Sequence, residues 1–107
     1  MANTFKNAVA NDVTTVTTVY TAPGATTATV VGLVIANDSG SDTTATVEVT
    51  DDSAAVTVKL CSSTPIPAAS NLNVLNTNNR IVLETGDSIA VTAAAACDVI
   101  VSVLEIS

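Results

Sequence analysis

The chain has no histidine and no tryptophan, a single phenylalanine, a single tyrosine and three basic residues among 107. Without histidine the commonest general base is missing, and neither a Ser-His-Asp nor a Cys-His arrangement can be assembled. The expectation is a protein that is not an enzyme. Lys6, Lys59 and Arg80 stand against ten acidic residues, for a net charge of −7. Such a chain has no cluster of cations to neutralise phosphates, which excludes nucleic acid as a main partner. An anionic membrane surface is disfavoured for the same reason, and no apolar run approaches the roughly 18 residues of a spanning helix. The four glycines stand apart at positions 24, 32, 40 and 86, so no glycine-rich phosphate cradle exists. Residues 1 to 13 lack the apolar stretch of a secretory signal, and the chain is expected to be made and kept in a cytoplasm. In that compartment Cys61 and Cys97 read as two reduced, half-buried small hydrophobes rather than a disulfide. Two thiols without histidine also leave a tetrahedral zinc short of ligands. No cofactor and no metal are expected.

What is abundant is Val, Thr and Ala, about half of the residues. The β-branched share favours pleated strands. Residues 13 to 21, rich in Thr and Val, form a strand ending at the Ala22-Pro23-Gly24 turn. Residues 26 to 37 follow as a central strand, with Val31, Leu33 and Ile35 on one face and Val30 and Val34 on the other. Gly32 in its middle marks a bulge or a close backbone approach. The segments 43–51 and 54–60 alternate as a hairpin around Asp51-Asp52-Ser53, with a Thr-rich polar face. Residues 62 to 70 contain Pro65 and Pro67, which cannot donate to a ladder, and suit a crossover between sheets. A short strand at Leu72, Val74 and Leu75 precedes Asn76 to Asn79. Strands at 80–84 and 88–93 form a tight hairpin through Thr85-Gly86-Asp87, and 98–106 is a last strand buried on both sides.

These are eight short strands, so the fold class is an all-β antiparallel β-sandwich, with Ig-like and jelly-roll topologies both open. One domain spans residues 13–107. Residues 1–12, which hold Phe5, read either as an arm lying on a neighbouring subunit or as a frayed or short edge strand. Tyr20 reads as a strand-end residue with its ring in the core. The acids Asp38, Asp42, Asp51, Asp52 and Asp87 fall in turns, where aspartate is favoured for backbone reasons. Residues 37 to 42 place oxygen ligands at alternate positions as a calcium loop does, but lack the bidentate glutamate of an EF-hand. Because the core side chains are small, each removes little area from water at about 25 cal/mol per Å². Self-association is therefore expected to supply part of the stability.

The segments YTAPGATTATVVGLVIAN (20–37), IVLETGDSIAVTA (81–93) and DVIVSVLEIS (98–107) together resemble small virion structural proteins of tailed bacteriophages, particularly those infecting cyanobacteria and marine bacteria. The resemblance covers most of the chain and rests on pattern rather than on a diagnostic site. It implies a virion component present in many copies: an external capsid decoration or cement protein that contacts itself and the major capsid protein. The alternatives it leaves are a neck, tail or fibre-attachment accessory, or a receptor- or glycan-binding tip domain. A charge of −7 is repelled by packaged DNA, which puts the domain on the outside of the particle. A trimer is the favoured oligomer. The candidate interface residues are Phe5, Tyr20, Pro65, Ile66, Pro67, Leu72 and Leu75.

Overall fold

The structure, a computed structural model, describes residues 3–75 and 80–107. Nine strands follow one another without a helix among the described residues: β1 (Asn3–Val13), β2 (Thr17–Thr21), β3 (Thr27–Asn37), β4 (Thr43–Asp51), β5 (Val56–Ile66), β6 (Asn71–Asn73), β7 (Ile81–Leu83), β8 (Ser88–Ala93) and β9 (Cys97–Ile106). They form two antiparallel sheets packed face to face. The first has the order β1-β9-β3-β6, with β7 also pairing β3, and the second has the order β2-β8-β4-β5.

The pairing is nested. β1 pairs with β9, β2 with β8, β3 with β6 and β7, and β4 with β5. The chain is thus a long antiparallel hairpin rolled over on itself, which is the jelly-roll arrangement of a double-sheet sandwich. β6 and β7 occupy successive stretches of the same edge of β3, at Val34 to Ala36 and Ala28 to Val30, so they share one strand position. The all-β sandwich expected from the sequence is the observed fold, and its topology is the jelly roll.

The inner faces supply the core, with Leu33, Ile35, Ile66, Leu83 and Ile89 its largest fully buried side chains and Val30, Val47, Val91, Val101 and Val103 filling between them. Alternation decides which residues turn inward, with one interruption. The β3–β9 register slips between Val30 and Gly32, so one residue is left over at Val31 and the alternation reverses there. Val30 therefore joins Leu33 and Ile35 inside, and Val31 is turned out beside Ser102. The sequence reading had placed Val31 with Leu33 and Ile35; the bulge that Gly32 marked is what separates them.

Four further boundaries differ from the sequence reading. Val13 belongs to the end of β1, and the chain crosses to the second sheet over residues 14–16 before β2 begins at Thr17. Residues 80–84 and 88–93 are not paired as a hairpin. The turn between them exists, closed by the Asp87 amide donating to the Glu84 carbonyl at 2.9 Å, but it carries the chain from β3 in one sheet to β2 and β4 in the other. β5 runs through Pro65 to Ile66, where Thr44 and Thr43 face them, because an edge strand has one row of backbone groups without a ladder partner and tolerates proline. The crossover is correspondingly shorter and turns where the Ser70 amide donates to the Pro67 carbonyl at 3.1 Å. Finally, β9 is buried on one side only, with Ile100 on its other side 41% exposed.

Candidate interaction surface

The two outward faces of the sandwich differ in chemistry. On the β2-β8-β4-β5 sheet, the outward positions of β4 are Thr44, Thr46, Glu48 and Thr50, opposite Thr57 and Lys59 of β5 and Ser88, Ala90 and Thr92 of β8. This is the Thr-rich face anticipated from the alternation. Its hydroxyls are engaged locally: Thr50 Oγ1 and Thr57 Oγ1 lie 2.9 Å apart, and Thr46 Oγ1 accepts from the Ser63 amide at 2.9 Å.

The outward face of the other sheet exposes large apolar side chains interspersed with uncharged polar ones, with Asp98 toward one end. Cross-strand register lines up Val9, Ile100, Val34 and Asn73 in one row and Phe5, Leu104, Thr29 and Val82 in another, with Asn7 and Ser102 between them. Among the described residues, eight large hydrophobic side chains are exposed, and Phe5, Val9, Val31, Val82 and Ile100 of these lie on this face. Phe5 projects furthest, at 77% exposed. Four residues along β1 from it, a hollow of about 370 Å³ is lined by the apolar Val9, Ala10, Val34, Ala36, Val99 and Ile100 together with Asn11 and Asp98. The rows themselves carry no charged residue.

The candidate interface residues are divided by the fold. Phe5 stands on the apolar face, and Pro65 and Pro67 are exposed at the β5 edge and the turn after it. Leu72 is half-buried against the core, while Tyr20, Ile66 and Leu75 are buried in it and offer little contact area in the folded chain. Of the two readings of residues 1–12, an arm on a neighbouring subunit or a frayed or short edge strand, the structure has an edge strand: residues 3–13 pair with β9 from Asn3↔Ile106 onward and form the edge of this face. Sequence reasoning missed Val9, Val34, Val82 and Ile100. Their signal was present: β9 alternates two apolar faces, and a two-layer sandwich can cover only one face of each sheet.

Tyr20 closes the rim where the sheets meet. Its hydroxyl donates to Glu105 Oε2 at 2.6 Å, and Glu105 Oε1 lies 3.3 Å from Lys6 Nζ. One contact thus joins β2 to β9, and the other joins β9 to β1. The hydrogen bond from Tyr20, with the nearby Lys6, holds the Glu105 carboxyl below its ordinary range despite burial. Burial first, and then the Glu105 carboxylate, push the Tyr20 hydroxyl well above its ordinary value. Cys97 is a buried free thiol whose ionisation is pushed up by burial, and Cys61 is a half-buried free thiol.

The turn acids have structural occupations. Asp87 accepts from the Asp52 amide at 2.9 Å and the Glu84 amide at 3.0 Å. Asp51 accepts from Ser53 Oγ at 2.8 Å and the Ala54 amide at 3.1 Å, which holds its carboxyl low. Asp51, Glu84 and Asp87 each bring a carboxylate oxygen within 4.8 Å of the others, at the place where the β4–β5 turn meets the β7–β8 turn. In the loop 37–42, Asn37 Nδ2 donates to the Ser41, Ile66 and Pro67 carbonyls, and Asn37 Oδ1 accepts from Ser39. That loop is closed by its own side chains, as an Asx turn is.

No protein-family model and no curated protein matches the chain. A solved structure that it is similar to is a pentameric capsid protein isolated from metagenomic phage sequences, at 22% identity and a TM-score of 0.45. The likeness covers 92% of this chain, which spans 59% of that one.

Proposed function

We propose that this chain is a non-catalytic structural subunit of a bacteriophage virion, most specifically an external capsid decoration or cement protein that associates with itself and with the major capsid protein. The observation that supports it best is the apolar outward face of the β1-β9-β3 sheet. A soluble domain that leaves Phe5, Val9, Val82 and Ile100 in water on one sheet face presents a surface suited to lasting protein contact. The resemblance of residues 20–37, 81–93 and 98–107 to small phage virion proteins gives that contact its setting. The net charge of −7 favours the outer surface of the particle over contact with packaged DNA. The virion is then its location, after synthesis in the host cytoplasm, with neither nucleic acid nor membrane as a partner.

Cryo-electron microscopy of the purified particle tests this reading, with mass spectrometry of its proteins. Density for the jelly roll on the outside of the shell, in symmetry-related copies, is expected. Density at the neck, tail or fibre base would move the subunit to the accessory role. Absence of the chain from purified particles would refute a virion role altogether.

A further inference from the structure

We infer that the apolar face of the β1-β9-β3 sheet is a twofold contact between two copies of this chain, in which Phe5 of each copy seats in the hollow lined by Val9, Val34 and Ile100 of the other. This deepens the self-association in the proposed function and rests on that part of it alone.

A twofold interface must be self-complementary, because the same patch meets itself. This face meets that condition with a knob and a hole. Phe5 projects from one end of β1 at 77% exposure, and the hollow of about 370 Å³ beside Val9 and Ile100 lies toward the other end. Four residues of strand separate them, roughly 13 Å. A twofold axis lying between the copies and running across the strands exchanges the two ends while keeping each strand's position in the sheet. It brings each Phe5 over the partner's hollow in the same operation, so that both holes are filled and neither knob is left in water. A partner of different chemistry would need a hole for Phe5 and a separate knob for the hollow. A second copy supplies both.

Area and charge agree with this occupant. Four strand positions about 4.8 Å apart and about nine residues long present roughly 600 Å², so two copies would bury about 1,200 Å², the lower end of stable interfaces. A chain of net charge −7 repels its own copies, and contact is least costly where charge is absent. The two central rows of this face have none. Asp98 does line the hollow, where its Oδ1 already accepts from the Asp12 amide at 3.1 Å.

The absence of tryptophan makes the contact directly readable. Phe5→Trp places a single indole on the knob. Its emission is expected to shift to the blue as protein concentration rises to about 100 μM, while sedimentation equilibrium reports a species of twice the 10.7 kDa chain mass. Ile100→Glu in the same background is expected to abolish the shift and weaken association at least tenfold. Its circular dichroism should be unchanged, since Ile100 is 41% exposed. Val58→Glu, at a 53% exposed position of β5 away from this face, should leave association intact. A monomer throughout the concentration range, or association that survives Ile100→Glu, overturns the proposal. The measurement needs only the isolated chain, so it fails or succeeds independently of where the subunit sits on a particle.

Discussion

Replacing Gly86 by alanine tests whether the β7–β8 turn is held by backbone geometry and by its neighbour across the rim. Gly86 has φ +89° and is the third residue of the turn from Glu84 to Asp87, the position at which a type II turn requires positive φ. An L side chain there costs about 1–2 kcal/mol, offset by about 0.4–1 kcal/mol because alanine narrows the unfolded ensemble. The new Cβ also meets Asp52, with Oδ2 at 2.8 Å, Cγ at 3.0 Å and Cβ at 3.1 Å. The carboxylate end can swing away, whereas the Asp52 Cβ is fixed by the β4–β5 turn, so about 1 kcal/mol of overpacking remains. The expected total is about 2 kcal/mol, which at a urea m-value of about 2 kcal/mol/M lowers the unfolding midpoint by about 1 M. Asp52→Gly removes the obstruction, and Gly86→Ala in that background should cost only about 1 kcal/mol, the difference being the coupling of the pair. A Gly86→Ala chain within about 0.5 kcal/mol of the parent would refute the backbone argument. Equal costs in the two backgrounds would refute the collision.

Four other outcomes follow from the same structure. Leu33→Ala, at a fully buried position, should lose about 2.7–5 kcal/mol, a large part of the roughly 5–15 kcal/mol available to a domain, and chemical denaturation will measure it. Ala55 and Ala69 have φ of 55° and 59°, so Ala55→Gly and Ala69→Gly should each leave stability unchanged or raise it by up to about 1 kcal/mol; a loss above that in thermal unfolding would contradict the strain. The lowered carboxyl of Glu105 contributes stability above its ordinary value of 4.5, lost as pH falls through the lower folded value. The raised hydroxyl of Tyr20 contributes stability below its ordinary 10.0, lost as pH rises past it toward the folded value. Tyr20→Phe should therefore flatten the melting temperature against pH at both ends, and an acid limb as steep as the parent's would show that the hydrogen bond to Glu105 does not act.

The candidate surface was half legible. Phe5 was found because it is the single phenylalanine in a segment without clear periodicity. Its companions on β9 and β3 were read as core, since an apolar residue on a strand looks the same whether the facing layer belongs to the chain or to a partner. Ile66 and Leu75 are buried although they adjoin prolines and turns, which ordinarily lie at the surface, whereas the ring of Tyr20 lies in the core as its strand-end position predicts. Tyr20 and Ile66 lie where β2 and β5 end and the chain leaves one sheet for the other, and a side chain at such a corner points between the sheets.

What the sequence determined by itself was the class of the fold and most of its strands, β1 being the exception. β-branched residues alternating with threonine stabilise pleated backbone locally, and Pro23, Gly40 and Gly86 punctuate it for steric reasons that need no distant partner. Only the tertiary structure decided which strands pair, because the nested order β1·β9, β2·β8, β3·β7 joins residues up to about a hundred positions apart and period-two alternation contains no address. It alone decided which face is inward as well. The extra residue at Val31 reverses β3 partway along, and among the described residues, which form two layers, none covers the second apolar face of β9.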